Sequence, residues 1–208
     1  MNSLEPVPPI PRWSFLTVLV MIALLTPFDS GIISAIPENP GHQRGDLMSL
    51  FRILGYLPTW MGVSLLLLVA QSTAGRPRLP SHIKSLLLTP LISGALSEAL
   101  KPIFRRPDPV PGMVDTWQRP PFGPEWWDGT DFCFPSGHSA VAFGAAIAIS
   151  RHWPGTTPWI FLAATGCAAT RILEHGHYPT DVLASLLIAL WVSQRLEPVI
   201  CDQADLHR

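Results

Sequence analysis

Val182-Leu183-Ala184-Ser185-Leu186-Leu187-Ile188-Ala189-Leu190-Trp191-Val192 runs without a charge, and it starts directly after Asp181. A bilayer core takes about 20 mostly apolar residues of helix. This run supplies the centre of a span from about Thr180 to Leu196. Working outward, five further stretches read the same way: about Trp13 to Ala35, Leu54 to Gln71, His82 to Leu100, Ser139 to Trp153 and Pro158 to Leu173. The first carries Asp29 and Gly31 near its far end. The expected fold is all-α, an integral membrane six-helix bundle. A soluble helical core would have to hide Val63–Ala70, Leu86–Ile92 and Val182–Val192 together, in a chain poor in charge.

Composition agrees. Charged residues are 14% of the 208, against about 25% in soluble proteins. The formal net charge of -1 gives no reason to expect a nucleic-acid partner. Eight tryptophans against two tyrosines suit a water–bilayer interface. Cys133, Cys167 and Cys201 are odd in number and lack metal-ligand spacing, so they read as packing or surface thiols without a disulfide. The leader 1–12 is Pro-rich and weakly basic, and no small-x-small cleavage site follows. An uncleaved first span is therefore favoured over a signal peptide.

Six spans put both termini on one side. That side holds seven basic residues (Arg12, Arg76, Arg78, Lys84, Arg151, Arg195, Arg208), and the other also holds seven (Arg44, Arg52, Lys101, Arg105, Arg106, Arg119, Arg171). Lys101, Arg105, Arg106 and Arg171 have a competing explanation as anion ligands. Setting them aside leaves seven against three. The termini, including the tail 197–208, are then expected in the cytoplasm, with the long loop 101–134 facing the periplasm or cell exterior. Trp117, Trp126 and Trp127 in that loop suit either the headgroup layer or a cap on the bundle.

Two clusters at span edges carry chemistry. Arg171, His177 and Asp181 have the spacing R-x5-H-x3-D, and Pro135-Ser136-Gly137-His138 opens the fourth span. Cleaving a phosphate ester takes an in-line nucleophile, charge neutralisation on the phosphoryl oxygens and a proton for the leaving oxygen. His177 qualifies as nucleophile when a carboxylate fixes its other ring nitrogen, and Asp181 lies one helical turn on. Pro179 suits the first turn of a helix, with Thr180 or Tyr178 as its cap. A helix starting at Gly137 presents free N–H groups to an anion, Ser136 adds a hydroxyl, and His138 is left to move a proton. Arg171 offers a planar fork, and Lys101, Arg105 and Arg106 add positive charge. With Lys101, Arg105 and Arg106 at the end of the third span as a further cluster, all three emerge at one membrane face.

These motifs resemble those of the type 2 phosphatidic acid phosphatase superfamily, which includes lipid phosphate phosphatases, glucose-6-phosphatase and vanadium haloperoxidases. Its signature is K-x6-R-P, then P-S-G-H, then S-R-x5-H-x3-D. Here the second part is intact, and the third has Thr170 for Ser. The similarity covers about Ile83 to Trp191. It implies a single membrane phosphatase domain over 1–208, a phosphohistidine on His177 oriented by Asp181, and His138 as general acid. It also implies phosphate ligands at Lys101, Ser136, Gly137 and Arg171, with no cofactor and no metal.

The first part departs from the pattern. Asp108 stands where the family has Arg, and an Arg-Pro pair occurs two residues earlier at Arg106-Pro107. Either Arg106 takes over the phosphate contact, or the site has one cation fewer. Asp108 would pair with Arg105 or Arg106, or meet a cationic or hydroxyl-bearing head group. The resemblance implies a lipid phosphate monoester or pyrophosphate as substrate, in a bacterial inner membrane. Candidates are phosphatidic acid, phosphatidylglycerophosphate, polyprenyl pyrophosphate and lipid A phosphates. A phosphotransferase with the same intermediate and an inert lipid-binding or transport protein are the rival expectations.

Overall fold

The structure, a computed structural model, describes residues 10–37, 45–73, 80–113, 116–117 and 132–205, with side chains to 200. Trp126, Trp127, Arg44, Arg76, Arg78, Arg119, Arg208, most of the leader and the side chain of Cys201 lie outside the described residues. The helices are α1 (Arg12–Leu25), α2 (Asp29–Ala35), α3 (Asp46–Ile53), α4 (Leu57–Thr73), α5 (Ser81–Phe104), α6 (Gly137–His152), α7 (Thr157–Leu173) and α8 (Pro179–Asp205).

Among the described residues, three stretches are long and apolar enough to cross a membrane: Arg12–Ala35, Ser81–Phe104 and Pro179–Ile200. A fourth arises if α3 and α4, bent by 65°, count as one span. α6 and α7 have 16 and 17 residues and fall short of that length. The first span is interrupted: Thr26–Phe28 tightens to a 3₁₀ turn between α1 and α2, with Pro27 supplying no N–H. The second expected span, Leu54 to Gln71, is present. It corresponds to α4, with α3 added before it across a turn at Leu54–Tyr56.

α6 is the centre, packed against α5, α7 and α8. Its sequence is rich in Ala and Gly, and Ser139–Ala148 are all buried. Small residues let helix backbones approach closely where lipid supplies no hydrophobic drive between helices. At Gly144 a Cβ would stand 2.9 Å from Pro90 Cα and 3.2 Å from Ser93 Oγ, so α5 and α6 touch backbone to backbone. Leu16, Leu19 and Leu24 of α1 and Leu65, Leu66 and Val69 of α4 are exposed. That is the arrangement a hydrocarbon surround stabilises rather than penalises.

Candidate active site

Four helix ends meet at one end of the bundle: the C-termini of α5 and α7 and the N-termini of α6 and α8. The two sequence motifs touch there. Ser185 Oγ of α8 donates to the Ser136 carbonyl at 2.8 Å, and the Ser136 N–H reaches the Asp181 carbonyl at 3.4 Å. Ser136 is buried, with its hydroxyl 2.9 Å from Ser139 Oγ. No side chain caps the N-terminus of α6. Its leading N–H groups therefore have no intrahelical partner and no cap, which favours an anion.

The α7–α8 turn explains the R-x5-H spacing. His175 takes a left-handed conformation at φ 55°, and the Gly176 N–H bonds the Arg171 carbonyl at 3.0 Å. A Cβ on Gly176 would lie 2.9 Å from Arg171 Nη2, so glycine lets the guanidinium fold over the turn. His177 follows, buried, with Nδ1 2.7 Å from the Cys133 carbonyl. A carbonyl only accepts, so Nδ1 carries the hydrogen and Nε2 the lone pair. Burial first, then Arg171, pushes the His177 pKa down to about 3, so the ring is neutral near pH 7.

Asp181 is placed differently from the expectation of direct pairing. Its Oδ2 lies 3.9 Å from His177 Nδ1, outside hydrogen-bond range, and accepts the Tyr178 N–H at 2.7 Å. Its Oδ1 accepts from Arg106 Nη1 at 2.5 Å. Asp181 thus shapes the turn that presents His177, while the backbone carbonyl of Cys133 holds the ring. Cys133 is positioned by the loop itself. Its N–H bonds the Arg106 carbonyl at 2.9 Å, and Pro107 pairs with Phe132 in an antiparallel bridge.

Arg106 requires a correction. As a phosphate ligand it would need a free face, yet it is fully buried and all five of its N–H groups are engaged. Nε donates to the Thr116 carbonyl (3.1 Å), Nη1 to Thr180 Oγ1 (2.7 Å) and Asp181 Oδ1, and Nη2 to Asp29 Oδ2 (2.6 Å) and Thr116 Oγ1 (2.9 Å). Trp117 and Tyr178 cover its two faces at 4.4 and 4.0 Å. The helix cap is also corrected: the α8 N–H at Thr180 is met by Asp29 Oδ1 of α2 at 3.3 Å, not by Thr180 or Tyr178 side chains.

Lys101 and Arg171 keep the expected position, and each holds a carboxylate. Lys101 Nζ is 2.9 Å from Glu98 Oε2, and Arg171 Nη1 is 2.5 Å from Glu174 Oε2. Glu174 is shared with Arg52 at 3.1 Å. Glu98 also reaches α6, where a Cβ on Gly137 would overlap its Oε1. His138 stands edge-on to Tyr56, ring centroids 5.0 Å apart. Beside it lies a cavity of about 320 Å³ lined by Tyr56, Leu57, Leu91, Ala95, Glu98 and Val141. Arg105 is buried at the left-handed C-cap of α5, over the Phe132 ring, and Asp108 is exposed on the following loop. Sequence reasoning missed Tyr56, Glu98, Glu174 and the Cys133 carbonyl. The first three carried no motif, and a carbonyl acceptor leaves no mark in residue type.

The sequence profile of the PAP2 superfamily matches residues 83–196. Phosphatidylglycerophosphatase B of Escherichia coli (strain K12) is 34% identical over 95 residues, covering 40% of this chain and 37% of that protein. The chain thus spans little more than a third of that relative. Lipid A 1-phosphatase of Rhizobium johnstonii is 28% identical over 207 residues, covering 89% of this chain and 80% of that protein. The solved Bacillus subtilis transmembrane PAP2 type phosphatidylglycerolphosphate phosphatase superposes with a TM-score of 0.55 at 18% identity, covering 91% and 94% of the two chains. At that identity the likeness is one of fold.

Proposed function

Starting from the fact that this chain belongs to the PAP2 superfamily, we propose that it is an integral membrane phosphatase hydrolysing a phosphate monoester or pyrophosphate on a lipid. The observation that carries this is the state of His177. Its Nδ1 is committed to the Cys133 carbonyl, so Nε2 offers its lone pair beside Arg171 and the uncapped N-terminus of α6. Nε2 attacks phosphorus, a P–N bond forms, and the P–O bond to the lipid alcohol breaks. Burial, then Arg171, lowers the His138 pKa to about 4, and the negative charge of a bound phosphate favours the imidazolium that gives the departing oxygen its proton. The same ring then takes a proton from water, which attacks phosphorus, breaks the P–N bond and releases phosphate. Lys101, Arg171, Ser136 and the Gly137 backbone hold the phosphoryl oxygens, and Asp181 keeps the turn in shape. No step requires a metal.

The carboxylates on Lys101 and Arg171 support the anion assignment, because each cation already holds an oxygen pair of the kind a phosphoryl group presents. The apolar cavity beside His138 suits the first carbons of a lipid chain entering between α4 and α5. The names of the relatives direct the substrate panel to phosphatidylglycerophosphate and lipid A 1-phosphate, with phosphatidic acid and polyprenyl pyrophosphate alongside. The basic-residue count, with the four anion-ligand candidates set aside, supports an outward-facing site with cytoplasmic termini; the bacterial relatives point to a bacterial inner membrane. Purified protein should release inorganic phosphate from at least one of these lipids, with EDTA present, and His177→Ala should not. Wild-type turnover by His177→Ala sinks the mechanism, and label appearing in an acceptor lipid marks a transferase instead.

A further inference from the structure

Asp29 is a carboxylate inside the first apolar stretch, Arg12–Ala35, and it is fully buried. Burying an ionised group in such a place is costly unless it is paired, and such residues are seldom there for packing alone. Three donors meet Asp29. Arg106 Nη2 gives it a bond of 2.6 Å, the Thr180 N–H one of 3.3 Å, and Thr180 Oγ1 a short one. The same guanidinium holds Asp181 through its other terminal nitrogen. Asp29, Arg106 and Asp181 are each fully buried, so one cation lies between two carboxylates without solvent. Thr180 closes the ring, accepting from Arg106 and donating to Asp29.

We infer that Asp29 and Arg106 are positioning residues for the reaction, and that the α1–α2 unit is thereby part of the catalytic apparatus. The chain of contacts is direct. Asp29 caps the first turn of α8 and orients the Arg106 fork. Arg106 fixes one oxygen of Asp181. The other oxygen of Asp181 holds the Tyr178 N–H, next in sequence to His177. The Arg106 carbonyl meanwhile takes the N–H of Cys133, whose own carbonyl sets the His177 tautomer. Both supports of the nucleophile therefore converge on Arg106. The inference rests on His177 being the nucleophile.

The test compares Asp29→Asn, Asp29→Glu and Thr180→Val with wild type and His177→Ala. Phosphate release from the best lipid of the panel is measured against pH, beside thermal unfolding in detergent. The active fraction comes from burst stoichiometry. Outer partners that orient an imidazole contribute roughly tenfold to hundredfold to activity. Asp29→Asn is expected to lose kcat on that scale per active molecule, with KM changed less than about threefold, a displaced acid limb and partial recovery in Asp29→Glu. Thr180→Val, which removes the bridging hydroxyl at nearly constant volume, should show the same signature and carries the test if Asp29→Asn does not accumulate. Loss accounted for by melting or active fraction alone, with kcat and pH profile unmoved, overturns the positioning role. If His177→Ala turns over normally, the phosphohistidine reading fails. If His177→Ala is dead while both Asp29→Asn and Thr180→Val behave as wild type, only the positioning inference fails.

Discussion

Gly137→Ala separates binding chemistry from folding. Gly137 is the first residue of α6, in ordinary helical backbone, so alanine brings no strain there. The added methyl would stand 3.3 Å from Glu98 Cδ and overlap Oε1. What it meets is the far end of a flexible side chain that is 57% exposed. Glu98 swings aside, and its half-exposed pair with Lys101 contributes only about 0–1 kcal/mol. Alanine returns about 0.5–1 kcal/mol of helix propensity. Unfolding should thus move by less than about 1 kcal/mol, a few degrees for a chain of this size. The same methyl fills the space where an anionic oxygen comes nearest the Gly137 Cα, space occupied here by Glu98. A phosphoryl oxygen kept from a backbone donor costs about 2.7–4 kcal/mol in the transition state, or 10²–10³ in rate. The assay is kcat/KM for phosphate release beside thermal unfolding of the same preparation. Activity within about threefold of wild type would refute the anion site at α6, as would a loss matched by collapse of the fold.

Further outcomes follow from other contacts. Gly144→Ala drives a methyl to 2.9 Å from the Pro90 backbone, which has no side chain to yield, so thermal unfolding should show about 1–3 kcal/mol of destabilisation with activity per folded molecule unchanged. The His177 pKa of about 3 lies below the unfolded value of 6.5, so the unfolded chain takes up a proton between these limits that the folded one refuses. Stability is then fully present above pH 6.5 and falls by about 2 kcal/mol toward pH 5, a slope that His177→Gln should lack in melting curves recorded against pH. Asp108→Arg restores the Lys-x6-Arg-Pro spacing on an exposed loop and should reorder the lipid panel toward substrates without hydroxyl-rich head groups. A uniform change in rate across the panel would assign Asp108 a purely electrostatic effect.

The parts of this fold legible in sequence were those set by local rules. The charge-free run after Asp181 is the body of α8, and Pro-Ser-Gly-His does open α6. The turn from Arg171 to His177 also follows its spacing, because Gly176 and a left-handed His175 close it within a few residues. The misplaced readings share a different cause. Arg106 resembles a phosphate ligand in sequence because its partners, Asp29 and Asp181, are 77 and 75 residues away, and nothing local shows that its five donors are taken. The cap of α8 comes from α2 for the same reason. The turn at Leu54–Tyr56 stands at the start of the second expected span, and Gly55 marks it. A Cβ there would press 2.8 Å on His138 Cβ and 2.9 Å on Cys167 Sγ.

The closure of the loop between α5 and α6 has one more consequence. Pro107 bridges Phe132, and the Cys133 N–H ties to Arg106, so the two ends of the loop are fastened together. Part of the loop reaches back to the support of His177: Thr116 accepts from two nitrogens of Arg106, and Trp117 covers that guanidinium. An exchange that removes Thr116 or Trp117 strips partners from Arg106 and so loosens both supports of the nucleophile. Loop and chemistry are thus keyed to one another, and a graft between relatives has to carry the Thr116–Trp117 key along with the head-group contacts it is meant to import.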